Sequence, residues 1–174
     1  MELAQLQHKK ISIIGAARSG IAAAVLLKLH GAIVLVSDTA SSASMSEQAA
    51  LLKAEQIEFE TGGNSTNVFH CDLMVLSPGV PNSAPVVQEA RKRNIPLVSE
   101  LEVGSWFCRA PIVAITGSNG KTTTTTLLGE LLNDAQKRYV TAGNIGTAFS
   151  SVVESLSAGD IAVLEVSSFQ LDHI

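Results

Sequence analysis

The stretch Ile112-Val113-Ala114-Ile115-Thr116-Gly117-Ser118-Asn119-Gly120-Lys121-Thr122-Thr123 decides the reading of this chain. Four apolar residues predict a buried strand, two glycines allow a tight turn, and Lys-Thr opens a helix. That layout suits a triphosphate cradle. Turn N–H groups and the helix N-terminus face the phosphate oxygens, Lys121 adds a full positive charge, and the Thr122 hydroxyl stands where it could ligate Mg²⁺. The usual spacing, Gly-x4-Gly-Lys-[Ser/Thr], would put its first glycine at position 115. Ile115 stands there instead, and the early glycine is Gly117. By pattern alone, a plain strand-turn-helix competes with the cradle.

Working outward, strands and helices alternate on both sides. Ile11–Ile14, Ala32–Val36, Ile57–Phe59, Asp72–Leu76 and Pro96–Val98 predict strands. Ile21–His30, closed by Gly31, and Ala84–Arg93 predict helices, as does a segment capped at Ser46. Glu100–Cys108 reads as a helix and Arg109-Ala110-Pro111 as a joint. Past the cradle come a helix over Thr122–Asn133, a strand over Tyr139–Thr141, a loop at Gly143-Asn144-Ile145-Gly146, a helix over Ala148–Leu156 and a strand over Ile161–Val166. This order predicts α/β architecture with parallel sheets covered on both faces. The division expected is residues 1–99 and residues 100–174. The second unit stops after its third strand. Either the chain is a piece of something longer, which we expect, or this unit packs on the first to complete its core.

Composition narrows the function classes. The 174 residues are 46% hydrophobic and 4% aromatic, so Val, Ile, Leu and Ala must fill the core. A net charge of −4 argues against general affinity for nucleic acid or anionic membrane, so any anion site is local. Cys71 and Cys108 have no metal-ligand spacing and read as reduced thiols. Met1–Lys10 is polar and includes Glu2, unlike a signal peptide, and no apolar run is long enough to span a bilayer. The histidines lack ligand spacing, and no Ser-His-Asp or Cys-His arrangement is present to argue from.

Ligands of open α/β sheets bind outside the carboxyl ends of the strands. In the first unit those ends carry Gly15–Gly20, Asp38-Thr39 and Ser77-Pro78-Gly79. Gly15 and Gly20 resemble a dinucleotide fingerprint whose middle glycine is replaced by Ala17. Asp38 follows Gly15 by roughly 20 residues, where a ribose-binding acid is expected. An NAD-type oxidoreductase or sensor is one reading. A different nucleotide, with its pyrophosphate at Arg18, Ser19 and the helix start, is another. In the second unit Glu165 ends an apolar strand, placed to hold Mg²⁺ directly or through water. Asn144 could orient substrate or metal, or only form its turn.

Together these runs resemble the Mur ligases, ATP-dependent amide-forming enzymes of peptidoglycan synthesis. Thr116 to Thr123 is similar to their shortened cradle. Ser37-Asp38-Thr39, Leu76 to Val80, Gly143 to Gly146 and Glu165-Val166-Ser167-Ser168-Phe169-Gln170-Leu171 are similar to the branch that adds D-glutamate to UDP-N-acetylmuramoyl-L-alanine. The resemblance runs from about Ile11 to Leu171. It implies a Rossmann-like domain holding the UDP substrate, followed by the start of a P-loop ATPase domain. It implies UDP-substrate contacts at Arg18, Ser19, Gly20, Asp38, Thr39, Ser77, Pro78, Gly79 and Ser167. Gly117, Ser118, Asn119, Gly120, Lys121, Thr122 and Thr123 fall on the ATP loop. Lys121, Glu165 and Asn144 take the catalytic positions, with Thr122 and Glu165 toward Mg²⁺. Ala40 replaces an Arg found in some relatives, and Arg18 could supply the missing charge. The resemblance also implies a bacterial cytoplasmic enzyme with a further C-terminal domain, and no ligase activity for these residues alone. A non-catalytic nucleotide-binding module is the remaining alternative.

Overall fold

A computed structural model describes residues 6–144 and 146–174. Glu2 of the polar start and Ile145 of the strand-end loop lie outside the described residues. The first sheet contains β1 (Lys10–Ile14), β2 (Ile33–Ser37), β3 (Glu58–Glu60), β4 (Leu73–Leu76) and β5 (Leu97–Ser99). All pairings are parallel, in the order β3-β2-β1-β4-β5. Chain order reverses direction at β1, which opens a crevice at the carboxyl ends of β1, β2 and β4.

Side-chain alternation sorts the two faces of this sheet. Ile11, Ile13, Leu73 and Val75 join the larger core with Ala23 and Leu27 of α1 (Arg18–Leu29). Ile14, Met74 and Leu76 face the other way, onto Val86, Val87 and Ala90 of α3 (Pro85–Lys92). Both faces are therefore covered, which is why these strands read as continuous apolar runs rather than alternating ones.

Several strand and helix ends differ from the sequence reading by a residue, and two helix starts differ for a physical reason. Helix α1 begins at Arg18 instead of Ile21. Its first turn presses onto the Gly15 carbonyl because Gly20 has no side chain. A Cβ there would lie 1.9 Å from Gly15 O. Helix α2 (Ser46–Ala54) has Met45 at its N-cap, and Ser46 is already helical. Met45 is buried in the larger core, so apolar anchoring sets this start instead of a hydroxyl cap.

Helix α4 (Glu100–Phe107) follows β5 directly. The second sheet holds β6 (Ile112–Ile115), β7 (Tyr139–Gly143) and β8 (Ile161–Glu165), parallel, in the order β6-β8-β7. Around it stand α5 (Lys121–Asp134), α6 (Phe149–Val152), a 3₁₀ turn at Val153–Ser155 and α7 (Ser168–Leu171). The expectation of a buried β6 is corrected. Ile112 and Val113 are each 40% exposed, because β6 pairs only with β8 and lies at the sheet edge. Leu127 and Leu131 of α5 are exposed as well. The expected long helix over 148–156 is a single α-turn that tightens into the 3₁₀ turn.

The two sheets share one core. Phe149, Val153, Leu156, Ala162 and Leu164 belong to the same buried cluster as Ile11 and Leu27. Phe149 is fully buried and its ring lies over Gly104 of α4, where a Cβ would approach Phe149 Cδ1 to 2.5 Å. Beside it the His30 ring lies 4.3 Å from that of Phe107, and His30 Nε2 is 2.9 Å from Glu154 Oε1. A second tie runs through the segment after β8. Ser99 N–H donates to the His173 carbonyl (2.8 Å), Asn82 Nδ2 donates to Asp172 (2.9 Å), and His173 Nε2 lies 2.6 Å from Asn82 Oδ1. Cys71 and Cys108 are free thiols.

Candidate nucleotide sites

The first site is a cavity of about 280 Å³ at the carboxyl ends of β1, β2 and β4, lined in part by Gly15, Ala17, Asp38, Thr39, Asn64, Ser77 and Gly79. Its walls are built by internal hydrogen bonds. Asp38 accepts the Ala16 N–H on Oδ2 (2.7 Å) and the Ala40 N–H on Oδ1 (2.8 Å). The Ser77 hydroxyl donates to the Gly15 carbonyl (2.7 Å). Asp38 and Ser77 therefore brace the β1–α1 turn from two sides. Gly15, at φ +94°, sits between them, and a Cβ on it would lie 2.9 Å from Ser77 Cβ. Pro78 is half-buried behind Gly79, and Ser19 and Gly20 form the first helical turn.

Arg18 does not join this group. It lines a separate groove of about 500 Å³ between α1 and the second unit, with Ile21, Val25, Thr147 and Ser151. Standing at the first position of α1, it lies on the side turned toward α6.

Sequence reading missed what stands behind Asp38. The buried Ser37 hydroxyl lies 2.7 Å from both Glu60 Oε1 and Asn64 Oδ1. Glu60 also accepts the Ser65 N–H (2.8 Å) and hydroxyl (2.6 Å). Burial works against the Glu60 charge, but the hydrogen bonds from Ser65 and Ser37 outweigh it and hold the carboxyl below its ordinary range. The only signal was Gly62-Gly63-Asn64-Ser65, which reads as a turn and nothing more.

The second site is the cradle. Gly117 at φ +149° and Gly120 at φ +77° make the turn, and α5 begins at Lys121. Ser118, Asn119, Gly120, Thr122 and Thr123 are exposed, so the N-terminal turn of the helix faces solvent. Lys121 Nζ donates to the Gly117 carbonyl (2.7 Å), folding the ammonium back over the loop.

The register of the sheet places Glu165 beside Ile115 on β6 and Gly143 on β7. Its buried carboxylate accepts the Thr122 hydroxyl on Oε2 (2.9 Å) and Asn144 Nδ2 on Oε1 (3.3 Å). Gly143 permits this closeness, since a Cβ there would lie 2.3 Å from Glu165 O. The three residues expected near metal and nucleotide thus meet at one point. A carboxylate and a hydroxyl as near neighbours fit a hard cation that takes its remaining oxygens from phosphate and water, as Mg²⁺ does. Among the described residues no cluster of three or more His, Cys, Asp or Glu offers a self-sufficient metal cage. A cavity of about 250 Å³ adjoins them, lined in part by Thr122, Thr126, Tyr139 and Glu165.

Ser167 is placed differently from the rest. It caps α7, and its N–H and hydroxyl both donate to Gln170 Oε1 (2.9 and 3.0 Å). Glu100 was not singled out by sequence, yet it is buried. Ser150 N–H donates to its Oε1 (2.7 Å), while Oε2 has no partner among the described residues. Burial pushes the Glu100 carboxyl above its ordinary range, against the Ser150 hydrogen bonds.

A doubly wound parallel sheet with a strand-end crevice, joined to a strand-loop-helix cradle faced by a buried glutamate, defines an α/β protein with two separate candidate sites. The comparisons make this particular. The Mur ligase MurD-like N-terminal domain family matches residues 9–99, and the Mur ligase middle domain matches residues 115–173. The chain belongs to the Mur ligase family, on the MurD-like side. It is 46% identical over 173 residues to a UDP-N-acetylmuramoylalanine--D-glutamate ligase of Chloroherpeton thalassium, covering 97% of this chain and 37% of that protein. The enzyme of the same name from Chlorobaculum parvum is 48% identical over 171 residues, covering 96% of this chain and 36% of that protein. The chain therefore spans little more than a third of the curated relatives' length. Among solved structures, a UDP-N-acetylmuramate:L-alanyl-gamma-D-glutamyl-meso-diaminopimelate ligase from Neisseria meningitides superposes with a TM-score of 0.55 at 21% identity, over 93% of this chain and 55% of that one. MurC of Thermotoga maritima gives 0.52 at 22%, over 92% and 37%. These two support the fold alone.

Proposed function

We propose that this chain carries the UDP-substrate site and the ATP cradle of an enzyme that joins D-glutamate to UDP-N-acetylmuramoyl-L-alanine. The division we propose is residues 1–99 for the UDP substrate and residues 100–174 for the start of the ATP-binding domain. The observation that supports the reading most is the meeting of Thr122 and Asn144 on the Glu165 carboxylate at the mouth of the cradle. The names of the relatives supply the substrates.

In the reaction, the L-alanyl carboxylate attacks the γ-phosphate of ATP, forming an acyl phosphate and ADP. The amine of D-glutamate then attacks the acyl carbon, phosphate leaves, and the amine loses a proton. The first step brings two anions together. Lys121 and the N–H groups of the cradle offset that repulsion, so positioning and electrostatics carry the catalysis. Bound Mg²⁺ would add charge neutralisation at the phosphates, held by Glu165 and Thr122. Asn144 fixes the carboxylate of Glu165 in the orientation Thr122 requires. No side chain needs to form a covalent intermediate. The work belongs to the bacterial cytoplasm, and among the described residues no helix is long and apolar enough to cross a membrane.

The test is a titration of the chain with a fluorescent ATP analogue and Mg²⁺. Saturable binding is expected, weakened about tenfold or more in Lys121→Ala, with the circular dichroism spectrum unchanged. Binding without phosphate release from UDP-N-acetylmuramoyl-L-alanine and D-glutamate is the further expectation for these residues alone. Equal binding by Lys121→Ala and the unsubstituted chain would remove the cradle assignment.

A further inference from the structure

Helix α6 begins without a cap of its own. Ala148 holds the N-cap position and has no side-chain acceptor, so the first-turn N–H groups must find oxygen elsewhere. The Ser150 N–H finds it on Glu100, 50 residues away in sequence, at 2.7 Å from Oε1. The Ser150 hydroxyl adds a longer bond to the Glu100 carbonyl (3.4 Å). Glu100 is 1% exposed and Ser150 4%, so water cannot take the acceptor's place. One carbonyl-type oxygen serves this bond, so a carboxylate, a neutral acid and an amide can all make it. Glu100 thus caps a helix of the second unit from the first turn of α4.

What α6 carries makes this cap matter. The turn that leaves β7 runs straight into it. Gly143 N–H donates to the Thr147 carbonyl (2.9 Å), and Asn144 N–H donates to the Glu165 carbonyl (2.8 Å). The Asn144 side chain then reaches Glu165 Oε1 at 3.3 Å, near the long limit of a hydrogen bond, so a small shift of the turn breaks it. One end of the turn is fixed by sheet register, with Gly143 beside Glu165. The other end is fixed by α6. Helix α4 holds α6 twice, through Glu100 on the Ser150 N–H and through Gly104 under the Phe149 ring.

We propose that Glu100 is a positioning residue of the cradle site: by capping α6 it fixes the turn that brings Asn144 to Glu165. It touches neither nucleotide nor metal and acts through Asn144. Its effect on binding rests on the ATP reading of the cradle given above, whereas its effect on the turn rests on the hydrogen bonds alone.

Amide hydrogen exchange followed by NMR, paired with titration of a fluorescent ATP analogue in Mg²⁺, tests it. In Glu100→Leu the Gly143 and Asn144 amides are expected to exchange about tenfold faster. The Ala162 and Val166 amides, bonded to Pro111 and Ile115, keep their rates. Glu100→Gln restores both turn amides, because its carbonyl replaces Oε1. Mg²⁺-dependent affinity for the analogue is expected to fall about fivefold in Glu100→Leu and equally in Asn144→Ala, with no further loss in the double variant. Equal acceleration of all four amides, or no rescue in Glu100→Gln, makes Glu100 a residue of general stability and overturns the proposal. Additive losses in the double variant overturn it too. If Glu100→Leu does not fold, Glu100→Asp, whose carboxyl is one methylene short of Ser150, is judged by the same comparison. Absence of saturable analogue binding to the unsubstituted chain removes the ATP reading, and the exchange comparison then decides the Glu100 assignment by itself.

Discussion

Replacing Gly104 by Ala places one methyl group where two helices meet. The new Cβ would stand 2.5 Å from Cδ1 of Phe149, 3.1 Å from Cε1 and 3.2 Å from Cγ. Carbon atoms in contact prefer about 3.5–4.0 Å, so the ring must retreat by roughly 1 Å. It has nowhere to go, because Phe149 is fully buried in the core that joins the two sheets. Overpacking of this kind costs about 1–3 kcal/mol. Alanine returns about 1 kcal/mol through its better helix propensity. With the ring fully buried and displaced by about 1 Å, the overpacking cost falls in the upper part of its range, so the net expectation is a loss of about 1–2 kcal/mol, read as a fall in Tm of about 2–8 °C for a chain of this size. Urea unfolding followed by circular dichroism gives the same quantity as a lowered midpoint. Phe149→Leu alone should also destabilise, by leaving a void. Combined with Gly104→Ala its cost should shrink, because the methyl fills part of the space the ring vacated, giving a coupling of about 1 kcal/mol in a double-mutant cycle. Gly104→Ala as stable as the unsubstituted chain, or strict additivity of the pair, would refute the packing argument.

Other outcomes follow from the same geometry. Because the Glu100 carboxyl is raised above its ordinary value of 4.5, the folded chain holds that proton more tightly than the unfolded chain. Its contribution is therefore greatest at low pH and is lost as pH climbs from 4.5 toward the folded value. Glu100→Gln should remove that slope and be relatively more stable at pH 8 than at pH 4, measured as urea midpoints; identical slopes would count against a buried neutral Glu100. Gly20→Ala meets backbone instead of a movable ring, with Gly15 O at 1.9 Å. It should cost about 3 kcal/mol or more and abolish UDP binding, so wild-type UDP affinity in that variant would contradict the close helix–strand approach.

Much of this molecule was legible because local chemistry and tertiary packing agree. The apolar runs at Ile11–Ile14 and Leu73–Leu76 are strands buried on both faces, and parallel pairing leaves them no polar alternation. The cradle was legible because Gly117 and Gly120 take backbone angles other residues resist, with Lys121 immediately after. Glu165 was legible as a carboxylate ending an apolar strand. What stayed hidden depends on partners far away in sequence. Nothing near Asn64 reveals that the Ser37 hydroxyl lies against it. Ile112 and Val113 have the composition of a buried strand, yet sheet order leaves them at an edge. Arg18 sits in a fingerprint-like run, but helix phase carries it to the groove beside α6. Glu100 looks like an ordinary first-turn acid until Ser150 closes over it.

The clasp formed by Asn82, Ser99 and His173 has a mechanical meaning. Pro81, next to Asn82, lines the first cavity, and the strand that delivers Glu165 to the cradle runs on into His173. The two candidate crevices are therefore joined by a short strap as well as by the core around Phe149. A displacement of the Pro81-Asn82 corner would reach the segment that follows Glu165 through the Asn82 contacts with Asp172 and His173.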